Sequence, residues 1–110
     1  MQFAVLTKAI DSPTMPPQVA LALVRQTFQM IAANQEPRIK AAYPFAGERA
    51  GILIVEANSG DELQEVIGSL PFAGVVKIEA HAVGSVAAVL KTVEEAERRV
   101  AAMAQPTSVR

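Results

Sequence analysis

The chain has 110 residues, 51% hydrophobic and 19% charged, which is one domain's length with enough apolar residues for a core and excludes disorder of the whole. Ten basic and eleven acidic residues leave a net charge of −1, so neither a nucleic acid nor an anionic membrane is expected as a partner. The absence of cysteine and the single histidine exclude disulfides and a thiolate nucleophile and argue against a dedicated transition-metal site.

Gln2–Lys8 reads as a short strand rich in Phe3, Val5 and Leu6, closed by the proline-broken segment Asp11–Pro17. Pro17 suits the first turn of a helix. From Gln18 to about Gln35, Leu21, Val24, Phe28 and Ile31 recur at steps of three and four, which predicts an amphipathic helix ended by Pro37. Arg38–Phe45 alternates, with Ile39, Ala41, Tyr43 and Phe45 on one face and Arg38 and Lys40 on the wetter one. Gly47-Glu48 reads as a type II′ hairpin turn into the apolar strand Gly51–Glu56. Ser59, with Glu62 three residues on, fits a capping box for a helix that buries Leu63, Val66, Ile67 and Leu70 and stops at Pro71. Gly74–Val83 alternates again, with Val76, Ile78, Ala80 and Ala82 on one face against Lys77, Glu79 and His81 on the other. Ser85 is the N-cap expected for a last helix running to about Ala104.

The order β-α-β-β-α-β is the ferredoxin-like, α+β arrangement, here with an extra C-terminal helix. Residues 1–104 are read as one domain and 105–110 as a flexible tail. The first and third strands are apolar at consecutive positions, so both faces of the sheet need cover. A second copy facing the first would form a dimeric α/β barrel; the alternative is that the last helix folds over the open face of a monomer. A homodimer or larger even-numbered oligomer is the expectation.

No glycine-rich phosphate loop follows a strand, and Gly47–Gly51 matches no nucleotide fingerprint; no cofactor is expected. Neither a basic leader nor an apolar run of bilayer length opens the chain, and a cytoplasmic location is expected. Lys77, Glu79 and His81 share one face of one strand. Carboxylate beside imidazole suits proton transfer, with Glu79 as base and His81 returning the proton, the two about 7 Å apart along the strand, where that strand meets a pocket between sheet and helices. A solvated strand edge is the plain alternative. Arg38 and Lys40 could orient an anionic substrate, or simply be solvated. Tyr43 could border the substrate, or pack in the core with its hydroxyl at an edge. Glu48 and Arg49 fall at a hairpin tip, where charge is ordinary.

The stretch Arg49–Ser59, the helix Leu63–Leu70 with its Leu70-Pro71 break, the strand Lys77-Ile78-Glu79-Ala80, and Ala46-Gly47 before the third strand resemble the muconolactone isomerase family. The chain departs from that family's pattern at Ala4, Pro44 and Glu48. The resemblance implies a ferredoxin-like dimeric α/β barrel that assembles further, and a cofactor-independent isomerase of aromatic-compound degradation. Such an enzyme moves a proton and a double bond within a small unsaturated lactone or related acid. Glu79 lies on a position that matches the family. A non-catalytic dimeric module of the same fold, binding a small molecule or supporting an assembly, is the alternative.

Overall fold

A computed structural model describes residues 1–11 and 14–104; the expected tail 105–110 lies outside the described residues. The elements are β1 (Gln2–Ala9), α1 (Pro17–Ala32), β2 (Ile39–Pro44), β3 (Ala50–Glu56), α2 (Gly60–Gly68), β4 (Val76–Ala82) and α3 (Val86–Ala104), with a 3₁₀ turn at Pro71–Gly74 after α2. The strands form one antiparallel sheet in the order β2-β3-β1-β4. This is the expected ferredoxin-like α+β fold with its additional helix.

Because side chains alternate along a strand, Phe3 and Val5 of β1 and Leu53 and Val55 of β3 point to one face. There they join Leu63 and Val66 of α2 and Leu70 and Phe72 of the following turn in a single core. Ser59 caps α2 as expected, its Oγ accepting from the Glu62 amide at 3.1 Å, while the Glu62 carboxylate reaches back to the Asn58 amide at 2.9 Å. Ser85 caps α3 by accepting from the Ala88 amide at 3.1 Å.

Three local expectations need correction. First, α1 stops at Ala32, well before Pro37, because Asn34 takes a positive φ of 54°. The Asn34 amide then bonds the Ile31 carbonyl and the Gln35 amide the Met30 carbonyl, the paired bonds of a Schellman stop. Second, the register of β2 shifts between Ile39 and Ala41. The bulge turns Ile39 and Ala42 toward the core while Ala41 and Tyr43 face the other way. Third, the hairpin turn spans 45–48 with Gly47 at its second central position (φ +78°), which is the type II requirement rather than type II′.

The buried stripe of α1 is also rotated from the expected one. Ala20, Leu23, Val24, Thr27, Met30 and Ile31 face the core, while Leu21 is 69% exposed. Thr27 is fully buried. Its Oγ1 donates to the Leu23 carbonyl and accepts from the Phe72 amide, both at 2.9 Å, which pins the 3₁₀ turn to α1. Phe28 meets Phe72 edge to face, with 6.4 Å between ring centroids. Thr27→Val keeps the volume and leaves the Phe72 amide without its acceptor. A loss of about 1–3 kcal/mol is expected, read as a lower urea midpoint at an unchanged slope.

The opposite face of the sheet is open. By register it carries Ala4 and Leu6, Ile52 and Ile54, Ala41 and Tyr43, with Lys77, Glu79 and His81 along one edge. The last helix does not fold over it: every residue of α3 is exposed, including Val86, Val89, Leu90, Val93 and Val100 on its apolar stripe. The radius of gyration is 20.7 Å, against about 13 Å for a compact domain of this length, because α3 projects from the body as an arm. Among the described residues, no helix is long and apolar enough to cross a membrane.

Candidate functional site

A cavity of about 400 Å³ opens between the sheet and α1, a size that suits a small organic ligand. Its walls are mostly apolar, with Leu21, Val24 and Phe28 from α1, Leu53 from β3, and Phe72 and Val75 from the 3₁₀ turn and the residue after it. The rotation of α1 explains the cavity. With Thr27 turned inward and bonded to the Phe72 turn, Leu21 and Phe28 are displaced from the core to the cavity wall. Gly51 matters at the floor, since a Cβ there would stand 3.0 Å from the Tyr43 carbonyl oxygen and 3.1 Å from the Pro44 Cα. Only glycine lets β2 and β3 approach so closely at this end.

Few polar side chains border this space. Thr7 is buried, and its Oγ1 lies 3.5 Å from the Gly51 carbonyl oxygen, a long contact that leaves the hydroxyl free to turn toward a ligand. Glu48 and Arg49 come from the hairpin and are the charged residues of the lining among those described. Arg49 pairs with Asp11, Nη2 to Oδ1 at 2.6 Å, and Asp11 itself does not line the cavity. Tyr43 borders the cavity too, but its register opposite Ile52 sets its ring on the open face. The alternative of core packing does not result, because the bulge in β2 reversed its parity.

The expected acid-base pair is placed elsewhere. Glu79 and His81 do share a face, but it is the open face of the sheet rather than the cavity side, and their side chains are 65% and 60% exposed. They are not held apart on separate sites either: Glu79 Oε2 and His81 Nε2 are 3.1 Å apart, within hydrogen-bond distance. Glu79 borders a second, shallower cleft of about 310 Å³ with Leu6, Lys8, Phe45, Glu48 and Lys77.

Arg38 is occupied by protein carboxylates. Its Nε and Nη2 bond both oxygens of Glu36 at 2.8 and 2.9 Å, and Nη1 lies 3.6 and 3.5 Å from Glu62 and Glu65. The bidentate contact holds the buried Glu36 carboxyl below the usual glutamate range despite the opposing effect of burial, and Glu36 in turn raises the pKa of Arg38. Arg38 therefore ties the start of β2 to α2 and borders neither cavity; nor does Lys40, which is exposed at the bulge. A carboxylate whose pKa is lowered by folding stabilises the fold above its unfolded pKa, and that contribution fades as the pH falls through the folded value. Arg38→Met should thus lower the urea midpoint at pH 7, and the gap to the unsubstituted chain should narrow as the pH drops below about 4.3.

Sequence reasoning did not pick out Thr7 or Arg49 as site residues. Thr7 carries a readable signal, as the one polar residue on the inward parity of β1 after Phe3 and Val5. Arg49 carries none, since its partner Asp11 lies 38 residues away in the chain.

No family model matches the chain, and no curated protein does. Among solved structures, muconolactone isomerase superposes with a TM-score of 0.65 at 17% identity, covering 100% of this chain and 96% of that one. The 5-chloro-2-hydroxyhydroquinone dehydrochlorinase of Burkholderia phenoliruptrix AC1100, solved with 2,5-dihydroxybenzoquinone, superposes with a TM-score of 0.55 at 19% identity, covering 76% of this chain and 94% of that one. With its sheet order, its two packed helices and its projecting third helix, the chain shares the ferredoxin-like fold of muconolactone isomerase.

Proposed function

We propose that this protein is a cofactor-independent isomerase that shifts a proton and a double bond within a small unsaturated lactone or related acid, bound in the cavity between sheet and α1. The observation that carries this reading is the cavity itself: about 400 Å³, mostly apolar, with Glu48 as its one carboxylate among the described residues. An apolar wall favours an organic ring, and the single carboxylate can carry a proton. Thr7 has no accessible acidity and arginine stays protonated, so Glu48 is the base.

The step balances without a co-reactant. The Glu48 carboxylate takes a proton from the carbon beside the carbonyl, and the C–H electron pair moves into a dienolate whose charge rests on the carbonyl oxygen. The Thr7 hydroxyl donates to that oxygen as it becomes negative. Glu48 then returns the proton to the far carbon of the dienolate, and the double bond is left in its new position. The base acts within one small cavity, so proximity supplies much of the rate.

A second reading keeps the Glu79–His81 pair as base and acid, favoured by their 3.1 Å contact. It needs the open face covered to enclose a substrate, because the pair lies on that face and outside the cavity. The same cover is proposed on other grounds. Ala4, Leu6, Ile52 and Ile54 form a contiguous apolar patch of a kind soluble monomers seldom leave bare, and we assign it to a second copy in a homodimer or larger even-numbered oligomer.

The test of the reaction is isotopic. The pure protein is incubated in deuterated water with a panel of small unsaturated lactones and their ring-opened acids. Deuterium is expected at the carbon beside the carbonyl and at the far carbon of the dienolate. Binding without any exchange across the panel would instead identify a non-catalytic small-molecule module of the same fold.

A further inference from the structure

We infer that Arg49 is the specificity-determining residue of the cavity, taking the carboxylate of an amphipathic monoanionic ligand by exchange for its present partner, Asp11. The inference rests on the cavity being the ligand site, and adds which chemical class it selects.

Four observations point the same way. Arg49 is the one cation in the lining among the described residues, set beside a mostly apolar space. A ligand with an apolar body and one anionic end would fill both. The backbone of Arg49 is fixed, since its carbonyl accepts the Ala9 amide at 2.8 Å and the Phe45 amide bonds the Ala50 carbonyl at 2.9 Å beside it. Its guanidinium is therefore presented from a rigid rim rather than from a loose loop. The N-terminal end of α1 also borders the cavity through Pro17, and its first turn carries no acidic residue, so the local helix dipole adds to the attraction for an anion.

The contact with Asp11 shows what the guanidinium accepts. Asp11 Oδ1 stands 2.6 Å from Nη2, which is the position a ligand carboxylate oxygen would take. Both side chains are largely exposed, 72% for Arg49 and 92% for Asp11, and an ion pair this wet is weak. Exchanging one carboxylate for another there costs little, while the ligand's body gains the apolar wall. Asp11 is thus a competitor that holds the guanidinium in place until a ligand arrives. Glu48 repels an anion in the same rim, so the ligand's carboxylate sits on Arg49 with its reactive carbons directed to Glu48.

The test uses a matched pair of probes, 3-phenylpropionate and its neutral amide 3-phenylpropanamide, titrated calorimetrically into the full-length protein and into Arg49→Met and Asp11→Asn. The acid is expected to bind about two- to fivefold more tightly than the amide. Arg49→Met should abolish that preference by weakening the acid alone, with amide binding unchanged as the internal check on folding. Asp11→Asn removes the competitor and should strengthen the acid severalfold without affecting the amide. Equal affinities for acid and amide in the unsubstituted protein, or a preference that survives Arg49→Met, would overturn the assignment and leave the cavity reading standing. An unchanged preference in Asp11→Asn would overturn the exchange. If neither probe binds, the cavity reading fails and this inference fails with it.

Discussion

Glu48→Gln is expected to lower kcat by roughly 10²–10⁴-fold on whichever substrate of the lactone panel shows deuterium exchange. Glutamine keeps the size and the hydrogen-bonding reach of the side chain but cannot accept a carbon-bound proton. Glu48 is exposed at a hairpin tip, so its replacement leaves the core untouched, and an unchanged urea midpoint checks that point. KM should not rise, because the ligand is held by the apolar wall and Arg49, and the substitution removes a charge that repels an anionic ligand. Glu79→Gln measured in the same assay separates the two readings of the chemistry. If Glu79→Gln is the silent variant, the cavity is the reaction site. If the large loss follows Glu79→Gln and spares Glu48→Gln, the proton moves on the covered open face, and the cavity serves another purpose.

Ile54→Lys should convert the proposed oligomer to monomers, raising the dimer Kd by at least about a hundredfold, as read by sedimentation over a micromolar concentration series. Ile54 lies opposite Ala4 on β1 and Ala41 on β2, at the middle of the open face, where a lysine in each copy would be buried without a partner. The fold of each copy should survive, since the substituted side chain points away from the core built on Leu53 and Val55. A protein already monomeric without the substitution would refute the assembly. The exposed stripe of α3 offers a second surface to watch in the same experiment. Val93→Glu lowers the dimer's stability only if that helix lies against the partner copy, whereas the sheet contact alone predicts no effect.

The sequence by itself determined the parts of this protein that depend on short-range physics. The strand periods of β1, β3 and β4, the Ser59 and Ser85 caps and the Leu70-Pro71 break are set by residues within a few positions of one another, and they appear where the pattern placed them. The consecutive apolar positions of β1 and β3 likewise marked both faces of the sheet as apolar. What the tertiary structure decided depends on partners far apart in the chain. The burial of Thr27 rests on the Phe72 amide, 45 residues away, and it turned α1 so that Leu21 and Phe28 became cavity wall instead of core. One bulge in β2 reversed the face of Tyr43, because a strand's period carries no memory across an inserted residue. Arg38 read as a free cation until folding surrounded it with Glu36, Glu62 and Glu65. Arg49 read as ordinary hairpin charge until the chain just after β1 brought Asp11 within hydrogen-bond distance of it. A local pattern gives the period of a helix or strand but not the phase at which it docks, and the site is a product of phase.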